Sequence, residues 1–304
     1  MPHIEVLLST YNGASYLTEQ LDSLRAQTVV PARVLVRDDG SSDGTRSLLD
    51  EYSGRFPGIE TILGDNLGAP QSFLALLRAV GERAEYVAFC DQDDVWLPDK
   101  LERAINHLQQ GGDSGAPRLY CSRVELVDER LAHLGYSPLR MQPTLANALV
   151  ENIAVGCTIV MNRAAYDAIV GRLPSELIMH DWWCALVVSS LGRVVFDEVS
   201  TIKYRQHGHN VIGGSTNPLR TIPRNVKRVL RSTTRSLGCV DQAAMLLGRY
   251  RDALTPHDTR LIERFVASSH GVRARVAYSV RKDVYRQVWY DDVLLRVLIA
   301  LGRC

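Results

Sequence analysis

The sequence predicts an α/β protein: a Rossmann-like mixed, mainly parallel sheet flanked by helices, with a helical C-terminal extension. Three observations predict it. Short apolar runs alternate with segments of helical spacing from Ile4 to Asp94. Such alternation is the signature of a doubly wound parallel sheet. Three of those runs end in polar clusters, Ser9–Asn12, Asp38–Ser42 and Asp91–Asp94. From about Asn217 onward the chain becomes Arg-rich and helical in spacing.

Each element has its own signal. Ile4–Ser9 is an apolar run closed by the turn pair Asn12-Gly13, which reads as a strand and its exit. Tyr16–Arg25 places Leu17, Leu21 and Leu24 on one helical face. Val34–Val36 is a second strand, ending in Asp38-Asp39-Gly40, and Asp43 marks the start of a helix that carries Leu48 and Leu49. Ile59–Leu63 is a third strand, Pro70–Val80 an amphipathic helix, and Tyr86–Cys90 a fourth strand running into Asp91-Gln92-Asp93-Asp94. In the second half Leu119–Val127, Cys157–Met161 and Val199–Gln206 read as strands and Asp181–Leu191 as a helix, a mixed rather than repeating pattern. A glycine-rich loop, His209–Ser215, precedes a domain boundary near Asn217, and helical segments such as Ile222–Arg235 follow. The organisation is therefore a main domain over residues 1–216 and a basic helical extension over 217–304.

The chain has 304 residues, 46% of them hydrophobic and 23% charged, with a net charge of +1. That composition is ordinary for a folded protein, and the net charge gives no general attraction to nucleic acid. The distribution is uneven, however. Residues 217–304 hold 17 basic and 7 acidic side chains, against 18 and 27 in the rest. Such asymmetry suggests an anionic surface as partner, either membrane or nucleic acid, although no aromatic-interleaved basic patch supports nucleic acid; the plainer alternative for the extension is a solvated helical cap or an oligomer interface. The six cysteines form no Cys-x-x-Cys pair, so a zinc site is not expected and a reducing cytoplasm is. The opening MPHIEVLLSTYN has no signal-peptide pattern. The apolar stretch Val293–Leu301 is too short to span a bilayer, which needs about 20 apolar residues.

Four clusters carry chemistry. Asp91-Gln92-Asp93-Asp94 crowds carboxylates on one turn, which is costly unless a cation compensates. Hard oxygen ligands of that kind suit Mg²⁺ or Mn²⁺. The plainer alternative is a solvated acidic turn, with Asp99 capping the next helix. Asp38 and Asp39, in VRDDGSSDGT, stand at a strand end where carboxylates can meet a ribose or a base. Part of that stretch is equally a turn and a helix cap. His180-Asp181-Trp182-Trp183 offers a candidate general base beside flat aromatic faces, or simply a helix start with Asp181 as cap and the indoles in the core. His207 and His209 could ligate a metal or hold a diphosphate, or lie idle in a surface loop.

Taken together, LLSTYNGASYLTEQLDSLRAQT, VRDDGSSDGT, GDNLGAPQSF, FCDQDDVWLPDK, HDWW and YRQHGHNVIG, in that order, resemble glycosyltransferase family 2, the inverting group with the GT-A fold. The likeness covers Ile4 to about Ile212. DQDDVW and YRQHGHN are similar to bacterial rhamnosyltransferases of surface polysaccharides. The resemblance implies a nucleoside-diphosphate sugar donor, dTDP-L-rhamnose before a UDP-sugar, and a glycan or lipid-linked glycan acceptor. Ser9, Tyr11, Asp38 and Asp39 would hold base and ribose, and Asn66 and Gly68 would line the nucleotide pocket. Asp91 and Asp93 would form the metal-binding D-x-D element, with His207 near the metal or diphosphate, and Asp181 would be the base. His180, Trp182 and Trp183 would surround the acceptor; many relatives have Glu where His180 stands. The enzyme would work in the cytoplasm, peripheral on the inner face of the membrane through its basic extension. One geometric expectation underlies all of this: Asp39, Asp93 and Asp181 must share one cleft. Two other readings are a sugar-nucleotide nucleotidyltransferase, whose usual glycine-rich phosphate loop is replaced here by LSTYNG, and a non-catalytic glycan-binding module.

Overall fold

A computed structural model describes residues 2–110, 115–207 and 237–304. The main sheet has seven strands among the described residues, β1 (Ile4–Thr10), β2 (Arg33–Asp38), β3 (Ile59–Leu63), β4 (Tyr86–Asp91), β6 (Arg118–Ser122), β9 (Val160–Asn162) and β10 (Arg193–Asp197), in the order β10-β6-β9-β4-β1-β2-β3. All neighbours pair parallel except those of β9, which runs antiparallel to both β4 and β6. The expected mixed, mainly parallel sheet is what forms.

Side-chain alternation along the strands builds two cores. Leu7, Leu35 and Phe89 turn to one face of the sheet, and Val6, Leu8, Val34, Val36 and Cys90 to the other. Both faces are covered, so the strands read as continuous apolar runs rather than alternating ones. Helices α1 (Leu17–Arg25), α2 (Thr45–Arg55) and α4 (Lys100–Gln109) cover the second face through Leu21, Leu24, Leu49 and Leu101. Helices α3 (Ala69–Arg78), α6 (Arg163–Val170) and α7 (His180–Leu191) cover the first through Phe73, Ile169 and Leu186.

The second half departs from the expected elements. Leu119–Val127 is not one strand: β6 stays in the main sheet, while β7 (Glu125–Val127) leaves it. With β5 (Val95–Trp96), β8 (His133–Tyr136) and β11 (Ile202–Arg205), β7 makes a small second sheet of order β5-β11-β7-β8. The bend falls at Arg123, whose amide donates to Asp197 O and whose Nε donates to Ser137 O. The expected strand Cys157–Met161 opens instead with a 3-10 turn over Gly156–Thr158. Val199–Gln206 shortens to β11; before it, Ser200 Oγ donates to Ile202 O and Thr201 Oγ1 meets Ser122 Oγ. A four-residue helix, α5 (Leu145–Ala148), lies before the 3-10 turn.

The boundary near Asn217, the loop His209–Ser215 and the segment Ile222–Arg235 lie outside the described residues. The described part of the extension forms four helices, α8 (Cys239–Tyr250), α9 (Pro256–Ala267), α10 (Val272–Ser279) and α11 (Trp289–Leu301). It is not a detached tail. Leu246, Tyr250, Ile262, Phe265 and Ile299 belong to the same apolar cluster as Trp183 and Phe73. Polar ties reinforce the contact: Tyr250 Oη donates to Ala168 O at 2.9 Å, and Arg286 Nε donates to Val150 O at 3.0 Å.

Candidate active site

Strand register assembles the site. Across the β1–β4 pair Ser9 stands opposite Asp91, and across β1–β2 Thr10 stands opposite Asp38. The carboxyl ends of β1, β2 and β4 thus open side by side at the point where the strand order reverses, the usual ligand crevice of such sheets. A cavity of about 1090 Å³ lies there, and Asp39, Asp91, Asp93 and Asp181 all line it. So do Ser9, Tyr11, Asn66, Gly68, His180 and His207. That volume is at the upper end of ordinary ligand cavities, large enough for a bulky polar ligand.

The turn after β2 is built by its own acids. Asp38 does not reach the cavity. It is fully buried and accepts from Ser41 N at 3.0 Å, Arg46 Nε at 2.8 Å and Thr10 Oγ1 at 3.2 Å. Burial alone would raise its carboxyl, but those donors from Ser41, Arg46 and Thr10 take it below the usual range. The expectation that Asp38 binds a nucleotide is therefore corrected: its lone pairs hold the loop. Asp39 faces the cavity, paired with the Arg37 guanidinium and accepting from Leu67 N at 2.9 Å and Gly68 N at 2.8 Å. This fixes the Asn66–Gly68 stretch beside it. Gly68 sits at φ 78°, a conformation that glycine adopts without strain.

Gln92 performs a role that the sequence did not announce. Its side-chain amide pairs both ways with Tyr11, accepting from Tyr11 N at 2.8 Å and donating to Tyr11 O at 3.0 Å. A Cβ at Gly13 would overlap that amide, so the glycine leaves room for it. The clamp locks the loop after β1 to the turn after β4.

Asp91 is half-buried and its carboxylate makes no hydrogen bond among the described residues. Loss of water, then the charges of Asp93 and Asp181, push its carboxyl up to about 7. Asp93 Oδ2 meets His207 Nε2 at 2.8 Å, and the imidazole stacks on Tyr16 with centroids 5.0 Å apart. Asp94 points inward instead. Fully buried, it accepts from Arg205 N at 3.1 Å, and its carboxyl and that of Asp91 lie within 4.8 Å of the Cys157 thiol. Burial and neighbouring carboxylates hold that thiol well above its ordinary value, so it stays protonated and is a poor partner for a hard cation. Asp91, Asp93 and His207 all line the cavity, although among the described residues it is Asp91, Asp94 and Cys157 whose ligand atoms lie within 4.8 Å of one another. Arg205, unflagged in sequence, ties this corner together by donating to Asp93 O and Glu129 O and pairing with Glu19.

Asp181 opens α7. Its Oδ1 accepts from Trp182 N at 2.7 Å, and the Asn152 side chain and Gly156 N also donate to it. Burial outweighs these donors and raises the carboxyl to about 6. His180 is 4% exposed and lies flat on Phe73, ring centroids 3.9 Å apart. Neither ring nitrogen has a hydrogen-bond partner, and burial lowers the imidazole to about 3, so it is neutral. The expectation for the tryptophans is corrected. Trp183 is wholly buried beside Tyr250, and Trp182 donates Nε1 to Ala148 O at 2.6 Å while packing on the core. Neither lines the cavity, because both indoles turn into the apolar cluster.

Residues 5–170 match the sequence profile of Glycosyl transferase family 2. The chain belongs to that family. Among curated proteins, this glycosyltransferase is 28% identical over 224 residues to dTDP-rhamnosyl transferase RfbG of Shigella flexneri, covering 68% of this chain and 74% of that one. It is 27% identical over 214 residues to an uncharacterized glycosyltransferase of Nostoc, covering 68% and 66%, and spans 60% of the length of a mycobacterial relative that is 26% identical. Among solved structures it resembles the first 349 residues of TarS from S. aureus, with TM-score 0.57, 16% identity and coverage of 99% and 79%. It also resembles mannosyltransferase PcManGT from Pyrobaculum calidifontis, with TM-score 0.52, 16% identity and coverage of 99% and 87%. The glycosyltransferase thus shares the GT-A fold of these enzymes. Among its described residues, no helix is long and apolar enough to cross a membrane.

Proposed function

We propose that this glycosyltransferase moves a sugar, L-rhamnose from dTDP-L-rhamnose in the first place, onto a bacterial surface-polysaccharide or lipid-linked glycan acceptor, with inversion at the anomeric carbon. The observation that carries the reading is the gathering of Asp39, Asp91, Asp93 and Asp181 around one cavity. The likeness to the rhamnosyl transferase of Shigella flexneri supports the sugar. Asp39, braced by Arg37 and the Leu67 and Gly68 amides, sits where a ribose hydroxyl would donate to it, with Ser9, Tyr11, Asn66 and Gly68 around the base. Asp91, Asp93 and His207 would hold Mg²⁺ or Mn²⁺; when bound, the ion neutralises the charge that gathers on the departing nucleoside diphosphate.

Asp181 is the base in this reading. Lifted to about 6, it is ionised at neutral pH yet basic enough to accept a proton. It takes the proton of the acceptor hydroxyl as that oxygen bonds to the anomeric carbon. The bond from that carbon to the diphosphate oxygen breaks on the opposite face, and the electron pair leaves with the nucleotide. His180, neutral and with both nitrogens unpaired, would meet a sugar hydroxyl beside this base. The reaction would run in the cytoplasm at the inner face of the membrane.

The test is a donor panel with purified protein and Mg²⁺ or Mn²⁺, scored by release of nucleoside diphosphate. Turnover of dTDP-L-rhamnose alone supports the reading; release of inorganic diphosphate from a nucleoside triphosphate and a sugar 1-phosphate instead would make the protein a nucleotidyltransferase. A UDP-sugar is the second reading, favoured by the likeness to TarS, one of whose structures is a complex with UDP-GlcNAc. The same panel separates the two.

A further inference from the structure

We propose that the outer face of the α10–α11 hairpin is a docking surface for an anionic lipid membrane. On α11 Trp289, Val293, Val297 and Leu301 are 77%, 56%, 49% and 61% exposed. At 100° per residue these four span an arc of about 120°, centred opposite the buried Leu295, Leu298 and Ile299. Tyr290, Leu294 and Ala300 lie within or beside the same arc, which holds no charged residue. On α10 and just past it, Val272, Val276 and Val280 repeat the pattern at 63%, 53% and 80% exposure. The two helices pack together, with the Arg275 guanidinium against Gly302. A helix facing water carries polar residues outward; an exposed apolar stripe on each of two helices that pack together marks an interaction surface.

Charge decides which partner. Arg273, Lys282 and Arg303 are exposed beside these stripes and have no ion-pair partner among the described residues. Of the nearby acids, Asp292 pairs with Arg296 and Asp283 with Arg264 and Arg281, while Asp291 points about 80° past the edge of the apolar arc. Residues 208–236 hold six basic side chains and no acidic one, so that segment brings no countercharge to the rim. A second copy docking about a two-fold axis would set the same cationic rim against itself. Anionic headgroups complement the rim, and acyl chains take the apolar arc. With 13 residues, α11 is too short to span a bilayer and suited to lying in its surface, with Trp289 and Tyr290 at headgroup level.

The surface leads to the cavity. Gln287 exchanges two hydrogen bonds with the backbone of Met141, at 2.8 and 2.9 Å, and Met141 and Leu139 are themselves exposed. Tyr136 and Pro138, just before them, line the cavity. Docking in this orientation would bring the cavity mouth to the membrane, where the lipid-linked acceptor of the proposed reaction would lie; that last clause rests on the proposed function, whereas the docking itself does not.

The experiment is co-sedimentation of the full chain with phosphatidylcholine vesicles, with and without phosphatidylglycerol, alongside analytical ultracentrifugation without lipid. The expected result is binding to the phosphatidylglycerol vesicles that weakens with salt. Val293→Glu with Val297→Glu lowers it at least about tenfold at unchanged thermal stability and donor turnover. Arg273→Glu with Lys282→Glu removes the preference for phosphatidylglycerol. The proposal is overturned if the wild-type chain stays in the supernatant, if the double Glu variant binds as well as wild type, or if the chain is a dimer that this variant converts to monomer. Vesicle binding without turnover of any donor would leave the docking intact and remove the transferase reading.

Discussion

Asp181 and Asp91 reach the same cavity from opposite halves of the chain, close enough that the charge of Asp181 helps to raise the Asp91 carboxyl. One sits on the first turn of α7 and the other at the end of β4. In the proposed reaction, an acceptor hydroxyl and a departing diphosphate would need groups of these two kinds on opposite sides of one carbon.

Replacing Asp181 with Asn keeps the shape and removes the proton acceptor. Turnover should fall roughly a hundredfold to ten-thousandfold, the usual weight of a positioned base, while donor affinity by calorimetry stays near wild type. In the wild type, the base works only when ionised, so kcat should climb as pH rises through about 6 and level off above it. A flat profile from pH 5 to 8 would remove Asp181 from that role.

Asp93→Asn weakens the set that also contains Asp91 and His207. Nucleoside-diphosphate affinity in Mg²⁺ should drop at least about tenfold, near 1.4 kcal/mol, whereas affinity in EDTA should match wild type. His207→Ala, which removes the partner of Asp93 Oδ2, should behave alike but less severely. Equal losses with and without the cation would mean that these residues touch the nucleotide directly.

His180 makes stability depend on acid in a definite direction. Its folded value, about 3, lies below the ordinary histidine value. The unfolded chain therefore binds a proton between about pH 6.5 and 3 that the folded chain refuses. This stability contribution is present above about 6.5 and is lost as pH falls through that window, at about 1.4 kcal/mol per unit. His180→Phe should flatten this slope relative to wild type in thermal melts from pH 4 to 7. Parallel slopes would contradict the neutral, unpaired imidazole.

Trp183→Ala separates packing from acceptor binding. The indole is wholly buried beside Tyr250, so truncation should cost about 3–5 kcal/mol in urea unfolding. At a temperature where the variant stays folded, acceptor KM should be unchanged. A selective rise in KM without loss of stability would return Trp183 to the acceptor site.

The first four strands and their helices were legible because each is a local statement. Ile59–Leu63 came out with the expected bounds, and β1, β2 and β4 grew by only one to three residues. The acids at the strand ends were legible as a group for the same reason: a parallel strand must deliver its last residues to one edge of the sheet. Which acid turns outward was not. Asp38 and Asp39 are neighbours, yet one spends its lone pairs on Ser41, Thr10 and Arg46 and the other faces the cavity. Asp93 and Asp94 divide the same way.

Other features depend on partners far away in the chain. β9 runs antiparallel between β4 and β6, and β7 leaves the main sheet for β11, pairings that no local pattern encodes. Gln92 finds Tyr11 across 81 positions and Arg205 finds Asp93 across 112. The outward apolar stripe of α11 read in sequence only as a run too short to span a bilayer. The sequence by itself determined the α/β class, the family and the residue types at the crevice, since periodicity and strand ends are short-range properties. The tertiary structure alone decided which of those side chains share the cavity, because burial and hydrogen bonding are settled by neighbours that the chain meets only after it has folded.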